Sequence, residues 1–147
     1  MNAFRWADLR EQQSEQFEVV LTDAHLDAFR ALSGDTNPLH HDAEFARGAG
    51  HRDRVIFGML TSSFFSRLVG VYLPGRFAVL HGIDIDFTAP AFVGDRLRVS
   101  GEIVFLSEAT RRIELRAKIH NQDDKLLSKA KIRVGLHEQC HGQCQGQ

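Results

Sequence analysis

The chain has 147 residues, 43% of them hydrophobic and 25% charged, with 18 basic against 19 acidic side chains. A chain of that length suits one domain that buries its own core without a disulfide or a metal. The net charge of −1 gives no bulk drive toward nucleic acid or an anionic membrane.

The opening MNAFRWADLREQQSEQ is polar, so neither a signal peptide nor an anchor is expected. Phe17 to Leu21 reads as a short strand. Thr22 then caps a helix, Asp23 suits its positive end, and Leu26, Phe29 and Leu32 are expected to face inward at spacing three. Gly34 is the expected stop. Asp35 to Asp42 (DTNPLHHD) cannot continue that helix, because Asn37-Pro38 imposes a turn. Asp42 caps a short helix ending at Gly48 and Gly50, and a charged loop from His51 to Arg54 follows.

Val55 to Leu73 is the most apolar stretch and reads as a helix buried on nearly all sides, closed by Pro74-Gly75. Strands follow. Ile83, Ile85 and Phe87 alternate with Asp84 and Asp86. Val93-Gly94-Asp95 is a turn. Leu97, Val99, Gly101, Ile103 and Phe105 share a face, as do Ile113, Leu115, Ala117 and Ile119; Leu126 to Leu136 returns after an Asp123-Asp124 turn. The architecture expected is α+β: a curved antiparallel sheet wrapped around one long buried central helix, as a single domain over 1–136. Two such sheets pairing edge to edge remove an exposed edge. Residues 137–147, rich in Gly, Gln and His, are expected to form a disordered tail. With no membrane segment and both cysteines (Cys140, Cys144) in that tail, a cytoplasmic location is expected.

The segment Ser33-Gly34-Asp35-Thr36-Asn37-Pro38-Leu39-His40-His41-Asp42 carries the clearest chemical signal. Asp35 and His40 lie five apart across a proline-stiffened turn. A carboxylate and an imidazole aimed into one cleft can share and activate a water. The plainer alternative is turn chemistry around a surface histidine. Phe57-Gly58-Met59-Leu60 opens the central helix, where free amides could polarise a ligand carbonyl; alternatively, Gly58 only packs against a strand.

The string SGDTNPLHHD resembles the hydratase motif of the MaoC-like, (R)-specific enoyl-CoA hydratases. The resemblance continues through F-G-M-L, Ser66, Leu73-Pro74-Gly75 and Asp86-Phe87-Thr88-Ala89-Pro90-Ala91-Phe92-Val93-Gly94-Asp95, in matching order. It implies a hot-dog fold, a homodimer or higher oligomer, and a site in a tunnel at the dimer interface. It implies that Asp35 and His40 bind the catalytic water, that Gly58 offers its amide to the thioester oxygen, that Ser66 belongs to the polar part of the site, and that Asn37 holds the turn. The substrate implied is an acyl-CoA or acyl-carrier-protein thioester, with no cofactor and no metal. Phe57 departs from the histidine usual before this glycine, and His41 is an additional histidine.

Other candidates are weaker. Asp84 and Asp86 pair on one strand face, where a solvated sheet surface is the simpler account. His137, Cys140, His141 and Cys144 have metal-ligand spacing but little fold around them. Arg47, Arg52, Arg54 and Arg76 flank the site and suit phosphates or an acidic carrier, or are solvated loop residues. Two rival functions are a hot-dog thioesterase and a non-catalytic acyl-binding subunit.

Overall fold

The computed structural model describes residues 1–137. In chain order the main elements are β1 (Ser14–Val20), α1 (Asp23–Ser33), a 3-10 turn (Pro38–His40), α2 (Ala43–Gly48), α3 (Gly58–Arg67), β2 (Ala78–Phe87), β3 (Arg96–Ser107), β4 (Arg112–His120) and β5 (Leu126–Leu136). The strands form one five-stranded sheet in the order β1-β3-β4-β5-β2, with every pairing antiparallel. The β3-β4-β5 meander is the expected one; β1 and β2 add to its two sides. The sheet packs on α3 in the hot-dog arrangement.

Local chemistry sets the boundaries. Thr22 caps α1 by accepting the His25 amide at 3.4 Å. Gly34 ends it in the left-handed region at φ +72°, where a Cβ is penalised. Asn37 caps the 3-10 turn by accepting the Leu39 amide at 3.0 Å, and Asp42 caps α2.

The core lies between α3 and the inner face of the sheet. Leu97, Val99, Ile103, Ile113, Leu115, Ala117, Ile119, Ile132 and Val134 are fully buried against Leu60, Phe65 and Leu68. Gly101 is on the same face, where a Cβ would stand 2.7 Å from Leu68 Cδ2. A side chain there would push the end of the helix off the sheet. Thr61 and Ser62 are buried on α3, and both hydroxyls donate to the Gly58 carbonyl, at 2.8 and 2.9 Å, so neither is an unsatisfied polar group.

Four expectations need correction. Leu32 is 85% exposed: two steps of three residues rotate it about 120° away from Leu26 on a 3.6-residue helix. Only Leu26 is fully buried on α1, and Phe29 is half-buried. Val55 to Leu73 is not one regular helix: Val55 to Phe57 precede α3, and Leu68 to Tyr72 form a π-helical turn beyond it. Nor is α3 buried on all sides, because one chain's sheet covers only one side of it. Met59 is 63% exposed, and Ser63, Ser66 and Arg67 are exposed with it. Finally, a bulge between Ile103 and Phe105 shifts the β3-β4 register, so that Phe105 lies opposite Glu114 while Leu106 takes the place opposite Ile113. Phe105 is exposed, and Leu106 packs on the core.

The outer face of the sheet is charged. Asp84 meets Arg133 at 2.6 Å and Asp86 meets Lys129 at 3.6 Å, which accounts for both acids as cross-strand ion pairs. Among the described residues, no helix is long and apolar enough to cross a membrane. Cys140, His141, Cys144 and nearly all of the expected tail lie outside the described residues.

Candidate active site

The turn from Asp35 to Asp42 is built from side chains that satisfy their own backbone. Asp35 Oδ1 accepts the Asn37 amide at 3.0 Å, and Asn37 Oδ1 in turn accepts that of Leu39 at 3.0 Å. These stacked Asx bonds, with Pro38 at the first helical position, leave the backbone few alternatives. His41 is exposed, as expected of a surface residue, but it also donates from Nε2 to the Thr36 carbonyl at 3.0 Å and so ties the turn across its width.

His40 is oriented from two sides. Its Nδ1 lies 2.7 Å from the Val55 carbonyl oxygen. A carbonyl only accepts, so Nδ1 carries the proton and Nε2 of the neutral ring is left as the acceptor. Phe57 packs on the imidazole, with ring centroids 4.0 Å apart and planes 30° apart. Phe57 is itself 3% exposed and touches Phe29 at 5.1 Å between centroids. The residue that replaces a histidine here is thus an apolar support for the catalytic candidate.

His40 and Gly58 line one cavity of about 410 Å³, with Val55, Ile56, Thr61 and Phe87 among its walls. Gly58 starts α3, and Phe57 at the N-cap offers no side-chain acceptor; the Leu60 and Thr61 amides donate to the Phe57 carbonyl, so it is the Gly58 and Met59 amides that a ligand can use. Its glycine also has a packing cause: a Cβ would stand 3.0 Å from the Phe87 ring. A larger hollow of about 730 Å³, lined by Arg5, Trp6, Phe77 and His137 among others, holds none of Asp35, Asn37, His40, Gly58 and Ser66.

The other expected residues are placed less centrally. Asp35 and Asn37 are exposed on the turn leading to His40 and do not line the cavity. Ser66 is exposed on α3, eight residues past Gly58 and so about 12 Å further along the axis; within one chain it does not meet His40's cavity. Of the flanking arginines, Arg52 binds Asp95 at 3.1 Å and Arg54 binds Asp23, whereas Arg47 and Arg76 are exposed. Thr61, Phe87, Thr88 and Leu127 line the cavity but were not singled out as site residues. Their identities carry no chemical signal; Thr61 is on α3 itself, and only the folding of β2 and β5 brings Phe87, Thr88 and Leu127 to it.

A family model for the MaoC like domain matches residues 7–123. An (R)-specific enoyl-CoA hydratase of Aeromonas caviae is 38% identical over 103 residues, 70% of this chain and 77% of that protein. A 3-hydroxybutyryl-CoA dehydratase of Methylorubrum extorquens is 29% identical over 141 residues, 90% of each chain. A mitochondrial 3-hydroxyacyl-[acyl-carrier-protein] dehydratase of Arabidopsis thaliana is 34% identical, over 63% of this chain and 55% of that protein. In three dimensions the chain is similar to the (R)-hydratase from A. caviae involved in PHA biosynthesis, with a TM-score of 0.84 at 33% identity, covering 88% of this chain and 98% of that one. It is as close to the unliganded R-hydratase PhaJ1 from Pseudomonas aeruginosa, with a TM-score of 0.84 at 28% identity, over 90% of this chain and 84% of that one. The chain belongs to the MaoC-like dehydratase family, a family of hydro-lyases.

Proposed function

We propose that the protein is an (R)-specific enoyl-CoA hydratase, and in reverse a (3R)-hydroxyacyl-thioester dehydratase. The observation that carries this reading is the orientation of His40: its Nδ1 lies 2.7 Å from the Val55 carbonyl oxygen, which leaves Nε2 as the acceptor, and His40 and Gly58 line the same cavity.

The thioester carbonyl is conjugated with the C2–C3 double bond. A carbonyl oxygen seated on the Gly58 amide draws electron density from C3. Water held by Asp35 and His40 adds there, its oxygen bonding to C3, and a proton returns to C2. The pair acts as a unit, and the two proton movements are assigned to it jointly. Asn37 holds the turn that presents both groups. The substrate handle is CoA or an acyl carrier protein, and no cofactor or metal is required.

The site is completed in a homodimer. The exposed stripe of α3 that carries Met59, Ser63 and Ser66, and the unpaired side of β2, are the surfaces a second copy covers. Ser66 then joins the polar wall of a site from which it is remote in one chain.

The test is hydration of crotonyl-CoA, followed by loss of the enoyl-thioester absorbance with chiral analysis of the product. (3R)-Hydroxybutyryl-CoA is expected. Asp35→Asn and His40→Ala each lower kcat by about 10² or more, with the fold and dimer intact by circular dichroism and gel filtration. Release of free CoA without hydration would instead identify a thioesterase, and turnover unchanged by both substitutions would remove the acid–base assignment.

A further inference from the structure

The Phe92-Val93-Gly94-Asp95 turn directly follows Ala89, Pro90 and Ala91, which line the cavity, but has no part in the chemistry above. Its composition is explained by one buried carboxylate. Asp95 is 2% exposed. Its Oδ2 accepts the Phe92 amide at 2.9 Å, closing the turn on itself. Its Oδ1 accepts Arg52 Nη2 at 3.1 Å and Gln122 Nε2 at 3.1 Å. Gly94 sits at φ +92°, which lets the turn bend back so far, and the Arg52 guanidinium lies 4.3 Å above the Phe92 ring. Arg52 therefore grips this turn twice, by charge and by its flat face.

Arg52 begins the strip of chain that reaches His40. Four residues on, the Ile56 amide donates to the Ala91 carbonyl at 2.9 Å, and the Val55 amide donates to the Leu39 carbonyl at 3.1 Å. The Val55 carbonyl then receives His40 Nδ1–H at 2.7 Å. Two segments distant in sequence, 52–58 and 88–95, are thus pinned together at Ala91–Ile56 and at Asp95–Arg52, and His40 hangs from the strip between those pins. A carboxylate is costly to bury unless fully bonded; here its bonds to Phe92 and Arg52 serve that junction, and its bond to Gln122 ties the turn to the β4–β5 connection.

We infer that Asp95, acting through Arg52 and Val55, is a positioning residue that sets the place and tautomer of His40. It touches no substrate. The inference rests on His40 being the group that handles water, and it extends that reading to the residue that holds the imidazole in register. A displacement of about 1 Å at a reacting group can cost about 10² in rate, so the junction matters to kcat more than to binding.

The experiment compares the full chain with Asp95→Ala, Asp95→Asn and Arg52→Met. It measures kcat, KM and the pH profile for crotonyl-CoA, and independently the ring-nitrogen NMR resonances of His40. Asp95→Ala is expected to lower kcat by about tenfold or more with KM within about twofold, to shift the pH profile, and to mix the Nδ1–H and Nε2–H tautomers. Asp95→Asn keeps one oxygen for the Phe92 amide but turns its NH2 toward Arg52, so it closes the turn, still moves the His40 resonance, and has a kcat between those of the parent and Asp95→Ala. Arg52→Met leaves the turn closed and cuts only the link to the strip. It keeps the inference testable should Asp95→Ala not fold, and a moved His40 resonance is expected in it as well. His40 resonances and pH profile unchanged in a folded Arg52→Met or Asp95→Ala, with only thermal stability lowered, would overturn the inference. Should the parent protein not hydrate crotonyl-CoA, the NMR comparison still decides whether Asp95 positions His40, and the failure belongs to the assigned reaction alone.

Discussion

The His40 imidazole is held by one hydrogen bond and one tilted ring packed against it, and each contact has a separable consequence. The bond to Val55 decides which nitrogen carries the proton; the Phe57 ring decides where the imidazole plane lies. Phe57 is also core, in contact with Phe29 and 3% exposed. Phe57→Ala is expected to destabilise the fold by about 3 kcal/mol or more in urea unfolding, with kcat falling in the protein that remains folded. A loss below about 1 kcal/mol would mean that the ring is peripheral to the core. At this scale the sequence is read most directly where a side chain bonds its own backbone. Thr22 and Asp42 take up their expected capping places, and Asn37 ties its turn by a bond of the same kind, because such bonds span two or three residues. The His40–Val55 bond spans fifteen residues, and no local pattern announces it.

Strand β4 shows what alternation can and cannot convey. Ile113, Leu115, Ala117 and Ile119 are fully buried, as their spacing requires. On the opposite face Glu114 departs from the wet pattern: it is 8% exposed, with Arg112 at 2.6 Å and Lys131 at 3.2 Å. Burial alone would raise its carboxyl. The hydrogen bond and charge of Lys131, joined by those of Arg112, outweigh that and hold it below the usual glutamate range. A depressed carboxylate contributes stability above its unfolded value and loses it as pH falls through the folded one. Glu114→Gln should therefore cost about 1 kcal/mol at neutral pH and flatten the loss of stability on acidification. Parallel stability curves for parent and variant below pH about 4.5 would argue against this. On the same face Arg116 lies opposite Lys131 and Lys118 opposite Lys129, pairs of like charge that oppose the sheet. Lys118→Glu is accordingly expected to raise the melting temperature by a few degrees at low salt, an increment that 1 M salt removes; an equal gain at both salt concentrations would point to packing instead.

For the whole molecule, the unfinished surface is the informative one. The sheet covers one side of α3 and leaves the stripe through Met59, Ser63 and Ser66 open, while β2 ends the sheet with an unpaired side. A helix with a 63% exposed methionine beside an unpaired strand is expected to be half of a larger body. Sedimentation should give twice the 16.6 kDa chain mass, and Met59→Glu should shift it toward monomer with loss of turnover. A parent protein that sediments as an active monomer would show the site to be complete within one chain.

What the sequence determined by itself was the set of local structures and the chemical signature of the turn: caps, alternating strands, and the Asp35–His40 spacing. Their causes act within a few residues, so they can be read from a few residues. The tertiary structure alone decided which of those side chains meet. The β3 bulge turned Phe105 outward, α3's open side exposed Ser66, and two loops pinned at Asp95 and Ala91 carried Val55 to His40. Register shifts and long-range carbonyl bonds depend on how whole elements settle against one another, and that is a property of the packed chain.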